Sequence, residues 1–252
     1  MNEYQLTFSS QILGNERRIW IQKPEAFPDR LMVVLDAELY RERVGAPKII
    51  SDLIEKKKIE STLVVYVSYY SPEARWIECP CYPPFAEFIS TELYPWLLSK
   101  FPELEAVNER AIAGLSYTGL AASYVAIKSE GLFQKVISQS GSYWSNDCSL
   151  SKQIENTDQP IGAEFYLDVG SQETETKVEH KEDVFQEISQ IAAVERFRDA
   201  LASRGTKTEY RVFEGGHSFD AWAKTLPTAL QWALGPTSRN YQLLSRSALH
   251  SR

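Results

Sequence analysis

Leu31-Met-Val-Val-Leu35 and Thr62-Leu-Val-Val-Tyr-Val67 are apolar at almost every position, with no alternation. A strand with one wet face would alternate. A short run that is apolar on both parities is buried on both faces, as in a mostly parallel sheet with helices above and below. Arg110 to Ala113 and Glu164 to Val169 read as further strands of this kind, and Leu132 to Ser138 and Thr208 to Phe213 add two more. Helical spacing separates them. Residues 47–56 carry Ile49, Ile50, Leu53 and Ile54 on one stripe, with Pro47 near the start. Residues 85–100 carry Phe85, Phe88, Ile89, Leu93, Trp96 and Leu97, and Pro95 should kink or restart that helix. Val184 to Ser203 reads as the longest helix, stopped by Gly205, and a last one spans about Asp220 to Leu234. At the N-terminus, residues 4–10 and 17–22 alternate weakly about Gly14-Asn15, the pattern of an antiparallel hairpin at a sheet edge. Two stretches read as irregular, a binding loop over 68–84 and an excursion over 145–160, and the charged segment over 171–183 reads as a loop or a helix start. No linker or repeat interrupts the alternation. One α/β domain over 1–235 is expected, with a loosely held tail over 236–252.

The chemistry centres on Ala111-Ile-Ala-Gly-Leu-Ser-Tyr-Thr-Gly119. An apolar strand, a sharp turn holding one serine and an Ala-rich helix make a nucleophile elbow. The turn projects the Ser116 hydroxyl at the strand's C-terminal end and aims the first N–H groups of the helix at the same point. Ser116 needs a base. Of the three histidines, His250 lies in the tail and His180 in the charged run Glu179 to Asp183, read as solvated. His217 follows Gly215-Gly216 just past the last strand, where a turn delivers its ring to the same sheet edge. A carboxylate past the preceding strand should orient it. Glu173, three residues beyond Gly170, is favoured over Asp168 inside the strand, with Glu175 a further alternative. The oxyanion donors would be the N–H of Tyr117 and one from Ala37 or Glu38, after the strand ending at Leu35.

These pieces resemble the putative esterases with an enterochelin-esterase type of α/β-hydrolase domain. S-formylglutathione hydrolase, feruloyl esterase domains and the mycolyltransferase antigens are related branches. The resemblance runs from about residue 5 to residue 233. It rests on Leu35-Asp36-Ala37, Arg75-x-x-Glu78, Glu92-Leu-Tyr-Pro-Trp96, Arg110 to Gly119, Phe133 with Gln139-Ser-Gly-Ser142, and Gly215-Gly-His217 with Trp222. It implies a three-layer α/β-hydrolase sandwich, a mostly parallel sheet with the antiparallel N-terminal hairpin, and Ser116, Glu173 and His217 as the catalytic set. Two positions depart from the family pattern. Ala37 stands where Gly is usual, and Thr118 stands where the elbow has its second Gly, with Gly119 one step late. A β-branched residue at 118 predicts crowding of the helix against the neighbouring strand and a cost in rate.

The expected reaction is hydrolysis of a small-molecule ester through an acyl-enzyme. The family's substrates range from siderophore trilactones to aryl esters and thioesters. Arg75 is a candidate to hold a substrate anion, or else to pair with Glu78 or another acid. Trp76, Tyr143 and Trp144 are candidates for an aromatic acyl pocket, with Tyr69 and Tyr70. Two rival readings use the same residues: a binding or scaffold protein on the hydrolase fold, and transfer of the acyl group to an alcohol. The net charge of −7 argues against a nucleic-acid backbone as partner. No apolar run approaches the ~18 residues of a membrane span, and no export signal is read at the N-terminus. Cys79, Cys81 and Cys148 are too few and too closely or oddly spaced for a usual zinc or redox motif, so free thiols in a cytoplasm are expected. No metal or organic cofactor is implied, and the oligomeric state is left open.

Overall fold

The structure, a computed structural model, describes residues 1–236. The expected tail therefore lies outside the described residues from 237 onward. Ten strands are present among them: β1 (Asn2–Ser10), β2 (Asn15–Lys23), β3 (Arg30–Leu35), β4 (Thr62–Val67), β5 (Glu109–Leu115), β6 (Lys135–Gln139), β7 (Glu164–Gly170), β8 (Val178–Lys181), β9 (Val184–Gln186) and β10 (Thr208–Phe213). Eight form one sheet in the order β1-β2-β4-β3-β5-β6-β7-β10, and β8 and β9 form a small hairpin apart from it. β1–β2 and β2–β4 pair antiparallel, and every later pair in the large sheet is parallel. This is the expected α/β-hydrolase sandwich with its N-terminal hairpin.

Among the described residues the α-helices are α1 (Ala46–Glu55), α2 (Pro72–Glu78), α3 (Pro83–Glu87), α4 (Tyr94–Lys100), α5 (Tyr117–Lys128), α6 (Ser145–Glu155), α7 (Gln190–Ser203) and α8 (Phe219–Leu234). Strand parity sorts the core into two layers. Leu31, Val33, Leu35, Leu63, Val65, Ile112, Phe165 and Leu167 pack with side chains of α3 to α7. Met32, Val34, Val64, Tyr66, Ala111, Ala113 and Tyr166 pack with α1 and α8. Burying each large aliphatic stabilises the fold by about 1.5–3 kcal/mol, which is why these strands tolerate no polar face. α5 is the most enclosed helix; its small residues Gly119, Ala121, Ala122 and Ala126 let it sit close on β5 and β6. Among the described residues no helix is long and apolar enough to cross a membrane.

Several local expectations need correction. The stretch 68–84 is not all loop: Ser71 caps α2 by accepting from the Ala74 N–H, with Pro72 in the first turn. Residues 145–155 are helical, packing Leu150 and Ile154 inward after a left-handed turn at Asn146, Asp147 and Cys148. The run 85–100 is helical in three pieces. A π-helical turn, Phe88–Leu93, joins α3 to α4, and Pro95, which has no N–H to give, sits at the start of α4. The longest expected helix begins at Gln190, capped by Ser189; the residues before it fold as β8 and β9.

Candidate active site

β3, β5 and β6 are each followed by a residue whose backbone is left-handed: Asp36 (φ 57°), Ser116 (φ 53°) and Ser140 (φ 47°). Each directly follows the last residue of its strand. Such conformations are sterically costly for side chains other than glycine, and they persist only where the surroundings impose them. Here they turn three strand ends toward one point at the C-terminal edge of the sheet. At Ser116 two glycines make the turn possible. A Cβ on Gly114 would lie 1.9 Å from the Thr118 carbonyl oxygen, and one on Gly119 would lie 2.7 Å from Ser138 Oγ and 3.0 Å from Gly141 Cα. Position 119 is thus the one that faces β6. Position 118 need not be glycine, and the crowding expected of Thr118 gives way to a bonded fit. Its hydroxyl accepts from the Leu115 N–H (3.1 Å) and lies 2.9 Å from the Leu115 carbonyl and 3.0 Å from Asp36 Oδ2. Ala37 is explained similarly, since the left-handed residue of its loop is Asp36.

Ser116 Oγ lies 3.0 Å from His217 Nε2, and His217 Nδ1 lies 2.6 Å from Glu173 Oε2. The second Glu173 oxygen is held as firmly, accepting from the Ser140 hydroxyl (2.6 Å) and the Gly170 N–H (2.7 Å). Ser140 in turn accepts from the Trp222 indole N–H (3.0 Å), and the Trp222 ring meets His217 edge-on with centroids 4.7 Å apart. The loops carrying the acid and the histidine are laced together by backbone bonds, Ser171 N–H to Phe213 C=O (2.8 Å) and Gln172 N–H to Gly215 C=O (2.9 Å). Of the three acids weighed, Glu173 is the one bonded to His217. Glu175 is exposed on the cleft wall, and Asp168 lies wholly buried on the other face of the sheet, beside Gln139 and Thr225.

Asp168 has a different consequence. No well-aligned donor reaches either of its carboxyl oxygens, although Thr225, Gln139 and the Ser140 N–H lie close enough to favour the charge in part. Burial dominates and pushes its pKa up to about 7. A carboxyl raised on folding takes up a proton as the chain folds. Its contribution is fully present below the unfolded value near pH 4 and is lost as pH rises through about 7. Asp168→Asn abolishes that titration. Denaturant titrations are expected to show the variant gaining about 2–3 kcal/mol on the parent between pH 5 and pH 8. A difference that stays flat over that range would mean the Asp168 charge is solvated.

The cleft above Ser116 has a volume of about 400 Å³, ordinary for a small-molecule site. Trp76 and Trp144 flank the Tyr117 ring, with centroids 4.8 and 5.6 Å from it. Trp144 is anchored by its indole N–H, which donates to Gln190 Oε1 (2.6 Å). Two candidate binding residues are corrected. Tyr143 is buried, stacked on Phe197 (3.9 Å, 11°), and hydrogen-bonded through its hydroxyl to Ser123 and Ser138, so it braces the core and does not line the cleft. Arg75 borders the cleft, but its guanidinium is spent on Asp36: Nε lies 2.9 Å from both oxygens and Nη2 2.6 Å from one. Burial opposes the Arg75 charge, and the Asp36 carboxylate more than offsets it. Of the acids open to Arg75, Asp36 is thus the partner, and Glu78 pairs with Arg17.

Sequence alone did not mark Ser142, Gln172, Val178, Gln186 and Gln190 as cleft residues, and His180, expected in solvent, is exposed but also lines the cleft. The His180 ring stacks on Trp144 at 4.7 Å and 8°, and its Nε2 lies 2.9 Å from Gln186 Oε1. Alternation in Val178-Glu-His-Lys and Val184-Phe-Gln about Glu182-Asp183 was the available signal for that hairpin. Among the described residues no group of three or more His, Cys, Asp or Glu is arranged to hold a metal ion.

The chain is 25% identical over 237 residues to the iron(III) enterobactin esterase of Dickeya dadantii, covering 91% of this chain and 54% of that protein. It is 27% identical over 143 residues to the iron(III) enterobactin esterase of Escherichia coli K12, covering 56% of this chain and 36% of that one. This chain thus spans about half the length, or less, of the relatives it matches. The crystal structure of enterochelin esterase from Shigella flexneri superposes with a TM-score of 0.79 at 22% identity, over 92% of this chain and 58% of that one, a likeness of fold. The family model described as "Putative esterase" matches residues 10–233, and the chain belongs to that esterase family.

Proposed function

We propose that the chain is a carboxylic ester hydrolase that works through an acyl-enzyme on Ser116. The observation that carries this reading is the continuous chain of hydrogen bonds from Ser116 Oγ through His217 to Glu173. In the proposed reaction His217 Nε2 takes the Ser116 proton as Oγ attacks the ester carbonyl. Glu173 holds the Nδ1–H tautomer and stabilises the imidazolium. The developing oxyanion is met by the N–H groups of Tyr117 and Ala37, each at the first position of a helical turn, where a backbone N–H has no intrahelical acceptor. Glu38, one residue further along the same turn, is the alternative donor. His217 then protonates the leaving alcohol, and water, activated by the same ring, releases the acid.

For the substrate we propose an aromatic ester of the siderophore type. Two observations support this: the Trp76–Tyr117–Trp144 wall beside Ser116, and the relatives named for iron(III) enterobactin. The proposed setting is the cytoplasm, where the three free thiols would stay reduced. A fluorophosphonate probe is expected to add once to the folded chain, at Ser116, as read by peptide mass. A panel of catecholate-trilactone, feruloyl, short-acyl and thioester substrates is then expected to give its highest kcat/KM on an aromatic ester. Labelling at another residue, or none, would refute the assignment of the nucleophile.

A further inference from the structure

We propose that the Thr118 hydroxyl is a positioning group for the oxyanion site, tying the nucleophile turn to the loop after β3 and setting the spacing between the Tyr117 and Ala37 N–H groups. The proposal rests on the reading of Ser116 as nucleophile. β3 and β5 run side by side, but their pairing ends at Val34 and Ala113, short of both donors. Past that point the two segments are joined by a side chain. Thr118 Oγ1 lies 3.0 Å from Asp36 Oδ2, and the same atom accepts from the Leu115 N–H at 3.1 Å. One hydroxyl therefore touches the residue before the nucleophile and the residue before the second donor.

The Asp36 end of this tie is rigid. Asp36 is buried, its backbone is left-handed, and Arg75 grips both its oxygens. A carboxylate fixed in this way fixes the peptide that follows it, which carries the Ala37 N–H. Removing the hydroxyl leaves the Leu115 N–H without that acceptor and one Asp36 oxygen without that donor, in a place that water does not reach. The loop is then free to drift relative to the elbow. An oxyanion site depends on donors held near 2.7–3.1 Å from the forming charge, so a small drift appears in the transition state before it appears in substrate binding.

The test compares Thr118→Val, which keeps the branched shape, with Thr118→Ser, which keeps the hydroxyl. Readouts are kcat, KM and the affinity of an aryl trifluoromethyl ketone, whose serine adduct carries the oxyanion. Thr118→Val is expected to lower kcat about 10–100-fold with KM within about threefold, and to weaken the ketone in proportion. Thr118→Ser should stay within about threefold of the parent in kcat and ketone affinity. If the valine variant does not fold, Thr118→Ala removes the same hydroxyl without added bulk. Parental kcat and ketone affinity in a folded variant lacking the hydroxyl would overturn the proposal, as would a serine variant as impaired as the valine one. Ser116→Ala, run alongside, separates the two levels. Retained turnover there overturns the nucleophile reading and this inference with it. Lost turnover there beside an unimpaired Thr118→Val overturns the tie alone.

Discussion

Replacing Ser116 with alanine is expected to lower turnover of an activated aryl ester by about 10⁴–10⁶-fold, with little change in melting temperature. The structural cost is small because alanine keeps the Cβ, and the strained backbone at φ 53° is imposed by the bond from the Ser116 N–H to the Gln139 carbonyl (2.8 Å) and by the start of α5. The rate cost is large because no other hydroxyl replaces Oγ. Ser142 Oγ lies 3.5 Å from Ser116 Oγ, yet it makes no hydrogen bond to His217 among the described residues. Residual turnover would come from the N–H groups and His217 acting on water. A scaffold protein on the same fold would show no activity to lose. An alanine variant with parental turnover, in a preparation free of other esterases, would place the chemistry elsewhere.

Glu173→Gln is expected to cost about 10³–10⁴-fold in kcat, through the tautomer of a ring it does not displace. In the parent, Oε1 accepts from the Ser140 hydroxyl and the Gly170 N–H, and Oε2 faces His217 Nδ1. A glutamine keeps its oxygen where those two donors are and so turns its NH₂ toward Nδ1. That nitrogen must then accept, and the ring proton moves to Nε2, where it points at Ser116 and cannot take its proton. Geometry is preserved and the protonation pattern is reversed. The measurement is kcat alongside a melting curve. A loss below about tenfold in a folded variant would show that the acid matters little for orientation. A larger loss at Asp168 would move the role to that residue.

The sheet was legible because its strands are apolar on both parities, a pattern that leaves few other architectures. Ser116, Glu173 and His217 were legible for a related reason: each lies within a few residues of a strand end, so sequence position already fixes the edge of the sheet it reaches. What stayed hidden depends on side-chain contacts between distant segments. Arg75 carries no mark in sequence that its partner is Asp36, 39 residues away, and not the nearby Glu78. Tyr143 and Trp144 are neighbours of the same chemical type, yet one stacks in the core and the other faces the cleft. Other misses were local signals passed over. Ser71-Pro72 and Ser189 mark helix starts, and the short alternation around Glu182-Asp183 was outweighed by the apolar periodicity that follows it.

The β8–β9 hairpin leaves the rest of the chain between two fixed points. The Lys177 N–H meets the Glu187 carbonyl (3.3 Å) at its base, and the Ile191 N–H meets the Glu173 carbonyl (3.3 Å). The hairpin shares no ladder with the large sheet, yet it contributes Val178, His180 and Gln186 to the cleft. Insertion, deletion or exchange of the segment inside that closed neck would alter what the cleft accepts, while Glu173 stays pinned by Gly170 and Ser140. The cleft wall and the hydrogen-bonded acid are thereby held on separate pieces of chain, so the segment between Lys177 and Glu187 can vary while the Ser116–His217–Glu173 array keeps its place.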